Sequence, residues 1–255
     1  MTIDRAALRT NLARLRDALS GSALWAVVKA DAYGHGADTV AAIALEEGAG
    51  ALCVATVGEG VHLRAAYPAA RIVVLGPAFD HQHRAAREAR LELTVSSAPL
   101  PDGIPVHVKV DTGMGRWGFR DAVDASPDVV GLMSHLASAD TDAVFTELQI
   151  SRFAEIAADR PGLTCHLANS AGILRYPAAR FDAGRPGIAL YGLSPFGTDP
   201  ADDGLVPVLS WRSTVAQVKQ LQPGESTGYN RRFLAAAPTW IGIVPAGSVP
   251  NGERP

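Results

Sequence analysis

The sequence predicts an α/β protein: a closed (β/α)8 TIM barrel, followed by the start of a C-terminal antiparallel β domain. Three observations lead to this prediction. Short β-branched, apolar runs recur through about the first 200 residues, and segments of helical period rich in Ala, Leu and charged residues separate most of them. The GxGxxG turn expected after the first strand of a doubly wound open sheet, the competing fold, is missing.

Eight runs are interpreted as parallel strands joined by right-handed crossovers, as the alternation of strand and helix patterns indicates. The segments 37–48 and 144–158 are typical of the connecting helices. The eighth strand has the weakest pattern. The predicted strands are 23–30, 51–57, 71–76, 91–96, 106–111, 129–135, 163–168 and 181–190.

The pattern changes after about residue 207. VLSWRSTVAQVKQLQPGESTGYN alternates in the manner of antiparallel strands joined by a Pro-Gly turn, and TWIGIVP is one further strand. The last ten residues, AGSVPNGERP, form a polar tail. We therefore expect a barrel domain over 1–207 and a partial β domain over 208–255.

Composition excludes several classes of protein. The 255 residues are 47% hydrophobic and 19% charged, which is ordinary for a soluble globular chain. A net charge of −3 with no basic stripe argues against nucleic acid or an anionic membrane as partner. Charges throughout the first 19 residues argue against a signal peptide. Cys53 and Cys165 lie in strand-like runs and are expected to be buried, reduced thiols of a cytoplasmic protein.

Polar residues fall at the carboxyl ends of the predicted strands, where barrels carry their chemistry. Each has an ordinary explanation when taken alone: a strand-end lysine usually reaches solvent, a single histidine is usually structural, and Asn-Ser is a normal N-cap. Their placement together on one rim favours a shared site. These residues are Lys29, Lys109, His135, Asn169, Ser170 and Arg185.

A phosphate group fits this rim. Asn169 and Ser170 open a helix, so that backbone N–H groups and the positive end of the helix dipole point toward the rim. The loop RPGI (185–188) follows the eighth strand, and the loops after strands seven and eight commonly hold a phosphate in such barrels. A lysine facing this site from the first strand fits a Schiff base with pyridoxal phosphate.

AVVKADAYGHGA (26–37) resembles the cofactor-lysine signature of bacterial alanine racemases, the fold-type III pyridoxal phosphate enzymes. The resemblance extends in family order to about residue 247. The other matching segments are VKVDTGMGRWGF (108–119), GLMSHLASAD (131–140), HLANSAGILRYP (166–177), FDAGRPGIALYGLSP (181–195) and VKQLQPGESTGYNRRF (218–233).

The resemblance implies that Lys29 holds the cofactor and serves as one of two acid/base groups. It also implies that Arg185 faces the pyridine nitrogen, which stays largely unprotonated because arginine keeps its proton. The implied cofactor-binding residues are Lys29, Tyr33, Leu75, Asn169, Ser170, Arg185, Gly187 and Ile188.

The second acid/base group implied by the resemblance is Tyr229, supplied from the β domain of a partner subunit in a homodimer. Racemisation removes a proton from one face of Cα and returns it on the other, and each group contributes about 10²–10⁴-fold. The tyrosine pKa must fall well below its usual value of about 10, and His135 with Arg185 is the expected supporting network. Arg116 is the implied substrate-binding residue, and Lys109 matches a lysine that is carbamylated in some members.

The implied function is interconversion of L- and D-alanine, supplying D-alanine for cell-wall peptidoglycan, with no metal. Two alternatives are a pyridoxal phosphate-binding barrel of impaired catalysis, like the cofactor-homeostasis proteins, and an amino-acid racemase of broader specificity. Family members continue the IVP strand into most of a β domain, whereas this sequence continues as SVPNGERP. We therefore expect a chain truncated in that domain.

Overall fold

The computed structural model describes residues 1–120 and 126–246, and the predicted tail from residue 247 lies outside the described residues. The chain divides into two compact units. One comprises Ile3–Leu209, and the other comprises Met1–Thr2 with the segment that begins at Ser210.

The larger unit is the predicted closed barrel of parallel strands, in which neighbours follow the order of the chain. The barrel strands are β2 (Ala23–Val27), β3 (Ala51–Val54), β4 (Ile72–Val74), β5 (Glu92–Val95), β6 (Val106–Lys109), β7 (Val129–Met133), β8 (Thr164–His166) and β9 (Ala183–Gly184). Closure is made by β2 and β9, where Ala23 pairs with Ala183 and Leu24 with Gly184. The two-residue strands β1 (Thr2–Ile3) and β10 (Leu209–Ser210) lie outside the barrel.

Helices connect the strands. The helix α1 (Arg5–Leu19) is capped by the Asp4 carboxylate, which accepts hydrogen bonds from the N–H groups of Ala6 and Ala7, as favoured at helix starts. The helical segments of the barrel unit are α1 (Arg5–Leu19), α2 (Lys29–Gly34), α3 (Ala37–Glu46), α4 (Val57–Ala66), α5 (Asp80–Glu88), α6 (Ala143–Ala158) and α7 (Ser170–Arg175), with 3-10 turns at Pro177–Ala179, Ile188–Tyr191 and Pro200–Asp203. The predicted helices 37–48 and 144–158 are thereby confirmed as α3 and α6.

The alternation of side chains along the strands separates two apolar clusters. The larger cluster packs the helices on the outside of the barrel, and α1 contributes Leu8, Leu12 and Leu15 to it. The smaller cluster fills the barrel interior. Its buried members are Trp25, Val27, Ala51, Cys53, Val73 and Ala183. Both cysteines are buried and not joined in a disulfide, as predicted.

The eighth strand is much shorter than the predicted run 181–190. Pairing stops after Gly184, and Pro186 and Gly187 lead into the 3-10 turn Ile188–Tyr191. Proline lacks the N–H that a ladder requires, which explains why the strand ends there. The rest of the predicted strand therefore forms a loop on the rim.

The smaller unit consists of antiparallel pairs. Strand β11 (Gln217–Leu221) pairs with β14 (Thr239–Ile243), and β12 (Ser226–Thr227) pairs with β13 (Phe233–Leu234). The Pro-Gly turn thus joins two strands that belong to different pairs, which the local alternation did not predict. A 3-10 turn, Tyr229–Arg231, lies between β12 and β13.

Within the described residues, no helix combines the length and the apolar character needed to cross a membrane.

We expect Gly192→Ala to destabilise the barrel unit much more than Gly197→Ala. Both glycines have a positive φ, 76° and 72°, which costs an alanine about 1 kcal/mol. A Cβ at position 192 would also lie 1.9 Å from the Val206 carbonyl oxygen, whereas one at position 197 meets nothing within 4 Å. Urea unfolding should therefore show a loss of about 1 kcal/mol for Gly197→Ala and at least about 3 for Gly192→Ala. Equal losses would contradict the close approach.

Candidate active site

The chain leaves the first barrel strand in a left-handed turn. Lys29 follows β2, and the next four residues, Ala30 to Tyr33, all have φ between 50° and 55°. None of them is glycine, and each left-handed residue costs roughly 1–2 kcal/mol. Strain of this kind is characteristic of functional sites, where the surrounding structure over-determines the backbone.

Polar contacts hold the turn at both ends. The carboxylate of Glu59 accepts the N–H of Ala30 at 2.8 Å and those of Ala55 and Thr56 at 2.7 and 3.1 Å. At the other end, Asp31 Oδ1 accepts the N–H of Ala37 at 2.7 Å. The turn is therefore tied to the start of α4 on one side and to α3 on the other.

The ring of Tyr191 packs against the left-handed turn. The rings of Tyr33 and His35 pack against the Tyr191 ring, with centroids 4.9 and 4.4 Å apart. The Tyr191 hydroxyl donates to the carbonyl oxygen of Val27 at 2.7 Å. The tyrosine thus links the 3-10 turn after β9 to the end of β2.

A cavity of about 290 Å³ opens at the carboxyl ends of the strands. It brings together nine residues predicted from the sequence: Lys29, Tyr33, Leu75, His135, Asn169, Ser170, Arg185, Gly187 and Ile188. Four further lining residues were not predicted: Val27, Asp140, Ala171 and Pro195.

One end of this cavity has the form of an anion cradle. The Ser170 hydroxyl accepts the N–H groups of Gly187 and Ala189 at 3.0 and 3.2 Å, so its own proton remains available to a ligand. A Cβ at position 187 would lie 2.7 Å from the Tyr33 hydroxyl oxygen. Glycine at position 187 therefore keeps space between the Tyr33 hydroxyl and the backbone. A phosphate group placed in this space could accept hydrogen bonds from the Ser170 and Tyr33 hydroxyl groups.

A second cavity of about 210 Å³ shares Lys29, Leu75, His135 and Arg185 with the first. It adds the predicted Lys109 and Arg116, together with Trp117. The Lys109 Nζ and the Arg116 Cζ lie 5.1 and 4.8 Å from the centroid of the Trp117 ring, within the range of cation–π attraction.

The site is strongly cationic. Burial, and then the positive charges of Arg185, Lys109, Arg116 and Lys29, lower the pKa of His135 to about 3, so this imidazole is neutral at physiological pH. Burial and the charge of Arg116 lower the pKa of Lys109 to about 8. An arrangement of this kind attracts anions such as phosphates and carboxylates.

Arg185 is buried and donates to the His166 Nδ1 and to the carbonyl oxygens of Ser134 and Leu167. Burial lowers its pKa to about 10, which leaves the guanidinium charged at neutral pH. The prediction that His135 and Arg185 together support the tyrosine stays a prediction. His166, which sequence reasoning missed, is the histidine that accepts a hydrogen bond from Arg185.

Tyr229 lies in the smaller unit, and 96% of its side chain is exposed. It begins the 3-10 turn Tyr229–Arg231, in which Asn230 and Arg231 have positive φ. The structure therefore presents Tyr229 at the surface of its own unit.

Comparisons with known proteins match both parts of the chain. Residues 3–195 match the model of the alanine racemase N-terminal domain, and residues 208–249 match that of the alanine racemase C-terminal domain. The chain belongs to the alanine racemase family.

Relatives in the family agree with this assignment. Alanine racemases of Nitrosococcus oceani and Streptomyces coelicolor are both 40% identical over 96% of this chain, which spans 74% and 72% of their lengths. The crystal structure of the biosynthetic alanine racemase from Pseudomonas aeruginosa superposes with a TM-score of 0.87 at 34% identity, covering 95% of this chain and 74% of that one. The barrel with antiparallel strands after it is thus the family's fold.

We expect Glu59→Gln to destabilise the protein by about 1–3 kcal/mol. The N–H groups of Ala30, Ala55 and Thr56 donate to the two carboxylate oxygens, and the single amide oxygen of glutamine cannot accept from all of them. Glu88→Gln is the matched control, since Glu88 forms an exposed pair with Arg84 at 3.1 Å. Such pairs contribute at most about 1 kcal/mol. Urea unfolding of both variants measures the difference. Equal stabilities would contradict the role of Glu59 in holding the left-handed turn.

Proposed function

We propose that the protein is an alanine racemase that interconverts L- and D-alanine with pyridoxal phosphate. The observation that carries the proposal is the position of Lys29 at one cavity with the anion cradle of Ser170, Gly187 and Tyr33. Family membership gives the reaction, and the cavity gives residues suited to it. The product would serve cell-wall synthesis in the cytoplasm.

The residues of the cavity fit the cofactor. Ser170 would hold its phosphate with the hydroxyl proton that remains available. Tyr33 would donate its phenol proton to the same phosphate, because burial raises the pKa of that phenol. Lys29 would attach it covalently, and Leu75 would pack against it. When bound, pyridoxal phosphate acidifies the α-proton of an attached amino acid by withdrawing electrons. Arg185 can only donate hydrogen bonds and would therefore face an acceptor atom of the ring.

Racemisation requires acid/base groups on both faces of the substrate's Cα, and we assign them to Lys29 and Tyr229. An exposed tyrosine on the β unit is suited to entering the site of a second copy of the chain. The assignment therefore includes a homodimer in which each site combines Lys29 of one subunit with Tyr229 of the other. His135 and Arg185 would support the phenolate by their place at the site.

Arg116 would bind the substrate carboxylate, with Lys109 beside it. Lys109 is 2% exposed and has a pKa of about 8, so a substantial fraction of its amine is neutral at mildly alkaline pH. The neutral amine can attack carbon dioxide: an N–C bond forms, one C–O π pair moves to oxygen, and a proton leaves to solvent. The resulting carbamate would place a negative charge next to Arg116.

The racemase is favoured over a cofactor-binding barrel without turnover. The match to the racemase C-terminal domain over residues 208–249 includes Tyr229, and a single-barrel cofactor-homeostasis protein has no such domain. A broader amino-acid specificity has no observation of its own to favour it.

We expect Lys29→Ala to abolish both D-alanine formation and the visible absorbance of the bound cofactor. Tyr229→Phe should keep the absorbance and lower kcat by about 10²–10⁴-fold, because only one face loses its acid/base group. Chiral analysis of the product and absorbance spectra measure the two effects. A Lys29→Ala protein that retains turnover would refute the assignment.

Mixing the two variants also tests the shared site. A hybrid dimer contains one intact pair, Lys29 from the Tyr229→Phe subunit and Tyr229 from the Lys29→Ala subunit. Random reassociation in equal amounts should restore about a quarter of wild-type activity, since half the dimers are hybrid and each has one complete site. Absence of any recovery, with hybrid formation verified by mass, would place Tyr229 in the site of its own subunit.

The carbamate of Lys109 should depend on pH. At constant dissolved ¹³C-labelled carbon dioxide, its ¹³C NMR signal should grow as the pH rises through about 8, because the neutral amine is the reactive form. Lys109→Arg should lack the signal, since its guanidinium stays protonated. A signal of equal intensity in this variant would assign the carbamate to another amine.

A further inference from the structure

A continuous chain of hydrogen bonds runs through the barrel interior to Arg185. Arg185 Nη1 bonds to the His166 Nδ1, and the His166 Nε2 lies 2.9 Å from the His107 Nδ1. The His107 Nε2 lies 2.7 Å from Glu92 Oε2. Arg71 closes the chain by donating from Nε to Glu92 Oε1 at 2.8 Å and from Nη2 to Oε2 at 2.9 Å.

Arg185 at one end and the Glu92 carboxylate at the other fix the direction of every hydrogen bond between them. Arginine can only donate, and an ionised carboxylate can only accept. His166 therefore accepts at Nδ1 and donates from Nε2, and His107 accepts at Nδ1 and donates from Nε2 to Glu92. Both histidines are thereby neutral Nε2–H tautomers, since a second proton on either ring would set two donors against each other.

Burial is consistent with this assignment. Both histidine side chains have no exposed surface. Burial lowers the pKa of each, and the charges of Arg185 and Arg71 lower both further. The hydrogen bond to Glu92 and the charge of Glu92 raise the pKa of His107, but it stays below its usual value. Burial alone would raise the pKa of Glu92, but its bonds to His107 and Arg71 lower it below the usual value, so the carboxylate stays ionised.

The surroundings leave the rings little freedom to turn. Trp25 packs against His107 and His166 with centroids 5.6 and 4.6 Å away, and the Arg71 guanidinium lies 4.6 Å from the Trp25 ring centroid. A Cβ at position 131 would lie only 2.0 Å from the His107 Nδ1, so His107 occupies the space that Gly131 leaves.

We propose that Glu92 is a positioning residue for Arg185, acting through His107 and His166. Glu92 begins β5 and is not among the residues that line either cavity, whereas Arg185 lines both. With the His166, Ser134 and Leu167 bonds made, one Nη1 hydrogen and the Nε hydrogen of Arg185 remain for a ligand in the cavities. The hydrogen-bond chain thus fixes which donors of the buried guanidinium meet the cofactor. Because this role requires a bound cofactor, the proposal rests on the proposed function.

The direction of these hydrogen bonds is tested on the wild-type protein, with variants used only to assign the signals. With ¹⁵N-labelled histidine, long-range ¹H–¹⁵N NMR distinguishes a protonated from an unprotonated ring nitrogen. His107 and His166, assigned by single His→Gln variants, should both show protonated Nε2 and unprotonated Nδ1 at neutral pH. A protonated Nδ1 on either ring would overturn the proposal.

The role of Glu92 is tested with Glu92→Gln, whose amide must turn an NH2 group toward either His107 or Arg71. The ¹⁵N signals of His166, two links away, should shift, and the dissociation constant of pyridoxal phosphate should rise about tenfold, the effect of weakening one hydrogen bond to a charged group. Asp182→Asn is the matched control, because the Asp182 carboxylate accepts the Cys165 N–H at 2.7 Å and forms no other side-chain hydrogen bond among the described residues. It should change the dissociation constant by less than about twofold.

If Glu92→Gln does not fold, Glu92→Asp keeps the charge and shortens the side chain by one methylene, and a rise of about threefold is expected. A shifted His166 signal with unchanged cofactor affinity would refute the positioning role. A wild-type protein that shows the predicted tautomers but binds no pyridoxal phosphate would refute the proposed function and with it that role, while the hydrogen-bond chain would remain.

Discussion

Closure of the barrel between β2 and β9 is the constraint on which the site depends. The pairing of Ala23 with Ala183 and of Leu24 with Gly184 sets the first and last strands side by side. Above it, the N–H of Val27 donates to the Pro186 carbonyl oxygen at 3.1 Å. Lys29 and the loop that carries Gly187 consequently meet at one cavity, although about 160 residues separate them along the chain. In an open sheet the ends of these two strands would not meet.

The site must also accommodate several positive charges. Burial lowers the pKa of His135, and Arg185, Lys109, Arg116 and Lys29 are close enough to this side chain to lower it further. Like charges at this spacing repel, and an anionic ligand would relieve that repulsion. The protein should therefore be stabilised by the ligand it binds, in proportion to ligand concentration over its dissociation constant. Arg185 differs from the other three cations because carbonyl oxygens and His166 already satisfy most of its donors.

Much of this arrangement could be predicted from the sequence. Short β-branched, apolar runs located all eight barrel strands, and strand-end polar residues located the cavity. Two features could not be predicted from local pattern. The partner of β11 is β14 because tertiary packing chooses between equivalent edges. The left-handed turn after Lys29 depends on Glu59 and Asp31, which no propensity rule connects to it.

The hydrogen-bond chain inside the barrel could be predicted from the sequence only in part. Glu92 with Thr94, and His107 with Lys109, occupy alternate positions of strands expected to be buried, so their side chains point to one face. Polar residues on the inner face of two adjacent strands indicate a hydrogen-bond network inside the barrel. The sequence could not indicate which partner each would choose, because that follows from the register of the closed barrel.

The central claim is that Lys29 carries the cofactor, and the most direct measurement is where the cofactor is attached. The chain contains three lysines, Lys29, Lys109 and Lys219, so reduction with borohydride followed by peptide mass mapping gives an unambiguous answer. The account predicts the pyridoxyl group on the peptide that contains Lys29. Attachment to Lys109 or Lys219, with Lys29 unmodified, would contradict it.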